Sequence, residues 1–483
     1  NGMWSFAHYN EKKHELLLSR DLLGEKHLFY SIEGNELIFS SEVKPIILAS
    51  LQEHELDFES IITSWKFNSS APGKTLIKGI KRLKPGTNLI FKKNNISSRK
   101  FQMLKPEKWF NFFNQNPPLD KIDEEFEKLL TKEVDLRLPK DVDFSTPLSG
   151  GIDSTILTNT IKRIRINLKT FFAISGKEQE QIKDKNRNEM TEVEFSNYIS
   201  SKIKTEHDLV KIQDETSFTE LKEASKNCFD GCVDSGVVNY SMLSKYVMQK
   251  KRKVIMFAEG PDELLGGYQV DIDANQMDNF FLKKRYLIFF LKNNFIKKLV
   301  IKLLKLRKNI EFEFKYDPFY TRVNHLVCSN KFLNTIIKKL NFNKLYDYGV
   351  IDQDYKKVFS QLDNSQKRSL IYATKTLPDM FNLRTDKGFM RFSVEARLPF
   401  QAIRLVEFLI AMPAKYRFKK DFGKYYLRHY VRKNIDKYVS RAPKIGMGNS
   451  LYESEECKKF LNMEETISKT NFFSFFPFKK NIK

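Results

Sequence analysis

The stretch Thr146-Pro147-Leu148-Ser149-Gly150-Gly151-Ile152-Asp153-Ser154-Thr155 constrains this chain more than any other. The short segment Val142 to Phe144 before it, apolar at both ends, predicts a short buried strand, and Ile156 to Ile166 after it a helix. A strand, a tight glycine turn and a helix start form an anion cradle: the first N–H groups of the helix lack intrahelical partners and its dipole is positive there. Gly150 and Gly151 let the backbone approach phosphate oxygens closely, and Ser149, Ser154 and Thr155 add hydroxyl donors. Asp153 would repel bare phosphate, but it suits a hard cation such as Mg²⁺ that bridges phosphates. No Gly-Lys-Ser/Thr follows the glycines, so the Walker arrangement is excluded. A glycine turn before a Ser- and Asp-capped helix is the plainer reading, and the stretch alone leaves it open.

The rest of the chain narrows the choice. At 483 residues, 41% of them hydrophobic, it has room for two or three domains with a sizeable core. The formal net charge of +23 would suit nucleic acid or an anionic membrane. The lysines are spread evenly, however, which favours a lysine-rich composition throughout and no nucleic-acid partner. Cys228, Cys232, Cys328 and Cys457 form no Cys-x-x-Cys pair and no zinc pattern. They read as packing thiols of a reducing cytosol, with Cys228 and Cys232 on one face if their segment is helical. No signal peptide opens the sequence and no apolar run is long enough to span a bilayer, so the expected location is cytoplasmic.

Residues 1–105 read as β-rich. Trp4 to Tyr9, Glu15 to Ser19, His27 to Ile32 and Glu36 to Phe39 are strand patterns separated by polar turns. Phe58 to Trp65 predicts a helix, and Lys84-Pro85-Gly86-Thr87 a type II turn. Residues 106–120 are proline-bearing and irregular, as in a linker. From Leu119 the pattern is helical to Leu136. Strands are then expected at Lys169–Ile174, Asp208–Ile212 and Lys253–Ala258, and helices at Glu192–Ser201, Ser217–Lys226 and Tyr240–Met248. That alternation implies a parallel α/β sheet with helices on both faces and ligands at the strands' carboxyl ends.

Several motifs, in order, resemble known families. Ser149 to Ser154 resembles the PP-loop of ATP pyrophosphatases, enzymes that cut ATP between the α and β phosphates. Asn1 to Ala7, Ser19 to Gly24, Phe39 to Lys44 and Gly79 to Gly86 resemble the later part of glutamine amidotransferases with an N-terminal nucleophile. Phe257-Ala258-Glu259-Gly260-Pro261-Asp262-Glu263-Leu264-Leu265-Gly266-Gly267-Tyr268 resembles the acidic motif of asparagine synthetases. Asn382 to Phe400, Gly423 to Arg428 and Arg441 to Gly446 resemble further blocks of the same enzymes. The sequence is thus similar to glutamine-hydrolysing asparagine synthetase: 1–105 a partial amidotransferase domain, 106–120 a linker, 121–470 the PP-loop synthetase domain, 471–483 a tail.

The resemblance implies ATP and Mg²⁺ as cofactors, with aspartate or a related carboxylate and glutamine or ammonia as substrates. By family, Asp153 and Asp262 hold the metal, and Glu259 and Lys444 work at the reacting centre. Leu148, Ser149, Gly150, Gly151, Asp153, Ser154, Thr155, Ile174, Ala258, Glu259 and Gly260 surround the nucleotide. Arg384, Glu395 and Arg397 stand on the substrate side, with Glu395 paired to one of the arginines. In the family the nucleophilic cysteine opens the mature chain, whereas Asn1 carries an amide. The expectation is therefore no glutamine hydrolysis by the sequence as it stands, which reads as a fragment of a longer protein. Departures occur at Ala258 and Pro261, and at Gly231, where the family usually has glutamate. Gly231 keeps a different acceptor carboxylate open, such as a sugar acid or a β-lactam precursor; a nucleotide-binding relative without activity is the other alternative. The basic segment 280–310 reads as surface helices rather than a membrane-surface helix. A homodimer is compatible with all of this.

Overall fold

The structure is a computed structural model that describes residues 2–67, 69–174, 178–211, 220, 223, 228–232, 236–283 and 351–442. Lys444, the segment beyond Lys283, most of the expected Ser217–Lys226 helix and the 471–483 tail lie outside these residues.

The amino-terminal part is antiparallel. Its strands are β1 (Ser5–Asn10), β2 (Glu15–Arg20), β3 (Phe29–Glu33), β4 (Glu36–Ser40), β5 (Lys81–Arg82), β6 (Thr87–Lys92) and β7 (Asn95–Lys100). They form one sheet in the order β1-β2-β6-β7 and another in the order β4-β3-β5. The β6–β7 hairpin turns through Lys93 and Asn94, both with positive φ, the conformation that a two-residue hairpin loop of matching twist requires. Leu18 and Leu89 of the first sheet share a buried cluster with Leu28 and Leu83 beside the second, so the sheets pack face to face. The expected helix at Phe58 runs to Phe67.

The 106–120 stretch is not irregular. It forms a 3-10 turn, Pro106–Trp109, and a short helix, Phe110–Asn114. Trp109 and Phe113 set their rings 4.9 and 5.3 Å from Phe408. Aromatic burial of this size holds the connection against the second part. The helix Leu119–Arg137 follows.

The second part is built on five parallel strands: β8 (Phe144–Pro147), β9 (Lys169–Ile174), β10 (Glu206–Lys211), β11 (Val254–Met256) and β12 (Glu395–Arg397). Their order is β10-β9-β8-β11-β12. Alternation along β11 assigns its two faces: Val254 and Met256 join the large core with the helices Ile152–Ile164 and Ile403–Ala411. Ile255 joins a second core with Phe171, Phe389 and Tyr240. Helices therefore cover both faces, the expected architecture.

Several elements differ from the sequence reading: β10 is Glu206–Lys211 and β11 Val254–Met256, and the helices expected at Glu192–Ser201 and Tyr240–Met248 run Glu192–Ile203 and Gly236–Gln249. β8 begins at Phe144, where pairing with Val254 starts, and Val142 is 43% exposed. The helix after the glycine turn starts at Ile152 and stops at Ile164, leaving Ile166 exposed. Cys228 and Cys232 do not share a helix, because Cys228–Asp230 is a single 3-10 turn ended by Gly231 at φ +90°. Cys232 is buried, as a packing thiol should be.

Candidate active site

The strand order places the site. The chain runs outward from β8 through β9 to β10, then returns to the other side of β8 for β11. The carboxyl ends of β8 and β11 thus flank the point where strand order reverses, where parallel sheets open a crevice. The glycine turn leaves β8, and the 257–268 motif leaves β11.

Each loop delivers one carboxylate to that crevice from the first turn of its helix: Asp153 in Ile152–Ile164 and Asp262 in Pro261–Leu265. Lys424 joins them. Its Nζ lies 2.7 Å from Asp153 Oδ2 and 2.8 Å from Asp262 Oδ1, and the residue is 4% exposed. Gly423 explains how the lysine gets there. A Cβ on Gly423 would stand 1.9 Å from the Gly266 carbonyl oxygen, so only glycine lets the two loops touch. Arg428 fixes the same loop by donating to the Gly423 carbonyl at 3.1 Å and to those of Ser440 and Ala442. Burial pushes the Arg428 guanidinium below its usual range, while Asp153 and Asp262 pull it upward.

The glycine turn itself is tied by small groups. Ser154 Oγ donates to the Gly151 carbonyl at 3.2 Å, the Gly151 N–H donates to Ser149 Oγ at 3.3 Å, and Ser149 and Ser154 share a hydroxyl contact. Ser149 is exposed, whereas Leu148 and Thr155 are fully buried, Leu148 within the large core. Ile174 ends β9, paired with Lys211 of β10, and the Leu148 N–H donates to the Phe171 carbonyl at 2.8 Å.

Glu259 is held by three donors. Arg384 Nη2 approaches Oε1 at 2.7 Å, while the Tyr240 and Thr385 hydroxyls each reach Oε2 at 3.1 Å. The Arg384 guanidinium lies against the Tyr240 and Phe381 rings, 4.9 and 4.7 Å from their centroids. Ala258 and Gly260 bracket Glu259, and Gly260 packs on Gln401. Glu263, next to Asp262, is raised to about 7 by burial, with Asp262 and Glu259 adding to the shift, and it accepts from the Tyr268 hydroxyl.

The structure thus joins Asp153 and Asp262 through Lys424, and joins Arg384 to Glu259, which lies three residues before Asp262. Glu395 and Arg397 pair with each other at 2.7 Å, as the sequence suggested, but Arg397 then donates to the Arg137 carbonyl at 2.8 Å. Both belong to the sheet's β12 edge and the end of the Leu119–Arg137 helix. Arg384 takes Glu259, not Glu395, as its partner. Sequence reasoning gave no role to Lys424, Tyr240, Thr385 or Arg428. One signal did mark Lys424: a cation at the N-cap of a helix opposes the dipole, so a local acidic partner was to be expected. Gly231 is also explained. Its Cβ would lie 2.7 Å from Ser70, so no side chain fits there.

Comparison with known proteins gives the family. The asparagine synthase family matches residues 125–473, and a glutamine amidotransferase domain matches residues 1–102. The chain belongs to the asparagine synthase family. It is 23% identical over 447 residues to asparagine synthetase [glutamine-hydrolyzing] 1 of Bacillus subtilis, covering 92% of this chain and 67% of that protein. It is 27% identical over 293 residues to a putative asparagine synthetase [glutamine-hydrolyzing] 2 of Methanocaldococcus jannaschii, covering 59% of this chain and 52% of that one. Amidase chry2 of Gibberella zeae is 22% identical over 55% of the chain, which spans 40% of its length. This asparagine synthase family member therefore spans between two fifths and two thirds of these relatives.

Proposed function

We propose that this protein performs ATP-dependent amide formation. A substrate carboxylate, aspartate or a related acid, attacks the α-phosphorus of ATP; the bond to the bridging oxygen breaks and pyrophosphate leaves. Ammonia, derived from glutamine, then attacks the acyl-adenylate carbonyl and expels AMP, giving asparagine or the corresponding amide. The observation that carries the proposal is the meeting of Asp153 and Asp262 across the Lys424 ammonium. Two carboxylates from separate loops already tolerate one shared positive centre between them, and their oxygen donors fit a hard divalent cation.

Asp153 and Asp262 would hold Mg²⁺, which when bound neutralises phosphate charge. The backbone N–H groups of the glycine turn, with the Ser149 and Ser154 hydroxyls, would bind phosphate oxygens. Lys424, between the two carboxylates, would offset charge on the departing pyrophosphate, and Lys444, outside the described residues, is proposed for the same reacting centre. Glu259 is a fixed carboxylate that orients Arg384, whose planar fork suits the acceptor's carboxylate. Arg384 is therefore the better substrate ligand, with Glu395 and Arg397 supporting the β12 edge.

The test is pyrophosphate release from the full chain supplied with aspartate, ATP and ammonium. Dependence on all three supports the reading, and release only with another acid would reassign the acceptor. Absence of release would leave a nucleotide-binding protein. Asp153→Asn should abolish release while preserving the fold; wild-type turnover by that variant would refute the metal role.

A further inference from the structure

A second cleft, of about 420 Å³, lies in the amino-terminal part. It is lined by the loop Pro72–Thr75, the turn from Ile77 to Lys84, and strand residues Tyr30, Leu89 and Ser98. The size falls within the range of small-molecule sites. Its charge is one-sided: Lys74, Lys78, Lys81 and Lys84 line it with Arg82, against the single carboxylate of Asp57. Three of these cations have carboxylate partners: Lys74 with Glu59, Lys78 with Glu55 and Arg82 with Asp379. No ion pair is recorded for Lys81 or Lys84 among the described residues. Tyr30 is the cross-strand neighbour of Lys81; burial raises its hydroxyl, which stays a donor, and Leu89, Leu83 and Ile80 supply apolar wall.

We propose that this cleft binds a small phosphate-bearing anion, with the phosphate on Lys81 and Lys84 and any organic body on Tyr30 and Leu89. Phosphate is favoured over carboxylate because the open cations are ammonium point charges. The one planar guanidinium, Arg82, is buried and committed to Asp379. The site is separate from the crevice of Asp153 and Asp262 and does not depend on its chemistry.

Calorimetric titration of the full chain with AMP, and separately with inorganic phosphate, tests this. Lys81 and Lys84 are exposed, so the double variant Lys81→Ala/Lys84→Ala leaves the core intact. It should bind one equivalent fewer than wild type, or bind that equivalent at least tenfold more weakly. Lys81→Arg/Lys84→Arg should retain it. Loss with AMP as well as phosphate identifies a phosphate ester as ligand, and loss with phosphate alone identifies the free ion. Identical stoichiometry and affinity for both probes in wild type and the alanine variant would overturn the proposal.

Discussion

Replacing Lys424 by methionine removes one positive charge and keeps the volume. The Lys424 side chain is 5% exposed, and those of Asp153 and Asp262 are 14% and 9% exposed. These are buried ion pairs, and removing one member of such a pair costs about 3–5 kcal/mol because the other charge stays in a poor solvent. Here two carboxylates lose the same cation, so the upper part of that range is expected. For a domain of this size ~1 kcal/mol shifts the melting midpoint by roughly 2–4 °C, so the variant should melt ~10 °C or more below wild type. The decisive arm adds Mg²⁺. A divalent ion between Asp153 and Asp262 replaces the lost charge, so millimolar Mg²⁺ should restore much of the midpoint in Lys424→Met and do less in wild type. Differential scanning calorimetry with and without Mg²⁺ reads both effects. A variant as stable as wild type, or equally destabilised with and without the metal, would refute the view that one cation site joins the two loops.

Other consequences follow from individual contacts. Glu259→Gln weakens the charge on which Arg384 is oriented, and pyrophosphate release should fall at least a hundredfold while circular dichroism stays unchanged. Gly231→Ala should cost about 1–3 kcal/mol in denaturant unfolding, since φ is +90° and Ser70 stands in the way. His207 is lowered to about 4, chiefly by burial, so between pH 4 and 6.5 the unfolded chain binds the extra proton. Stability from this group is complete above pH 6.5 and is lost as pH falls toward 4; His207→Gln should flatten that part of a stability–pH curve. Arg20→Lys should destabilise by ~2–4 kcal/mol, because an ammonium cannot serve the Lys26, Leu83, Gly24 and Pro378 carbonyls together.

Elements whose packing is local were legible in the sequence. Lys169–Ile174 was bounded correctly because its run of apolar and β-branched residues is buried on both faces of a central strand. Val142 misled because an apolar residue next to a strand reads the same whether it enters the ladder or stops short of it; only the pairing of Phe144 with Val254 decides. Asp153 and Asp262 could be chosen from charge crowding beside glycine turns, yet their meeting depends on strand order, which no local pattern carries. Glu395 and Arg397 were placed in the substrate group with Arg384 because the block Asn382 to Phe400 resembles one of the family's. The intervening turn sends them to the sheet's edge, while Arg384 stays on the helix Asn382–Met390.

That helix shows why the amino-terminal part matters to the crevice. It continues from Asn364–Ile371 through the π-helical segment Tyr372–Phe381, which contains Pro378. The amino-terminal part supplies side-chain donors to carbonyls of this segment. Arg20 reaches the Pro378 carbonyl at 3.1 Å, and Ser69 and Arg82 reach that of Asp379. Asn382 donates to the Leu23 carbonyl at 2.9 Å, and Lys26 pairs with Asp386 at 2.7 Å. Between those anchors the same helix extends Arg384 and Thr385 to Glu259. The antiparallel sheets therefore fix the register of the helix that fixes Glu259. Arg20, Ser69 and Arg82 are distant from the crevice in sequence and in chemistry, and their contribution is geometric: they anchor backbone carbonyls of the π-helical segment that leads into this helix.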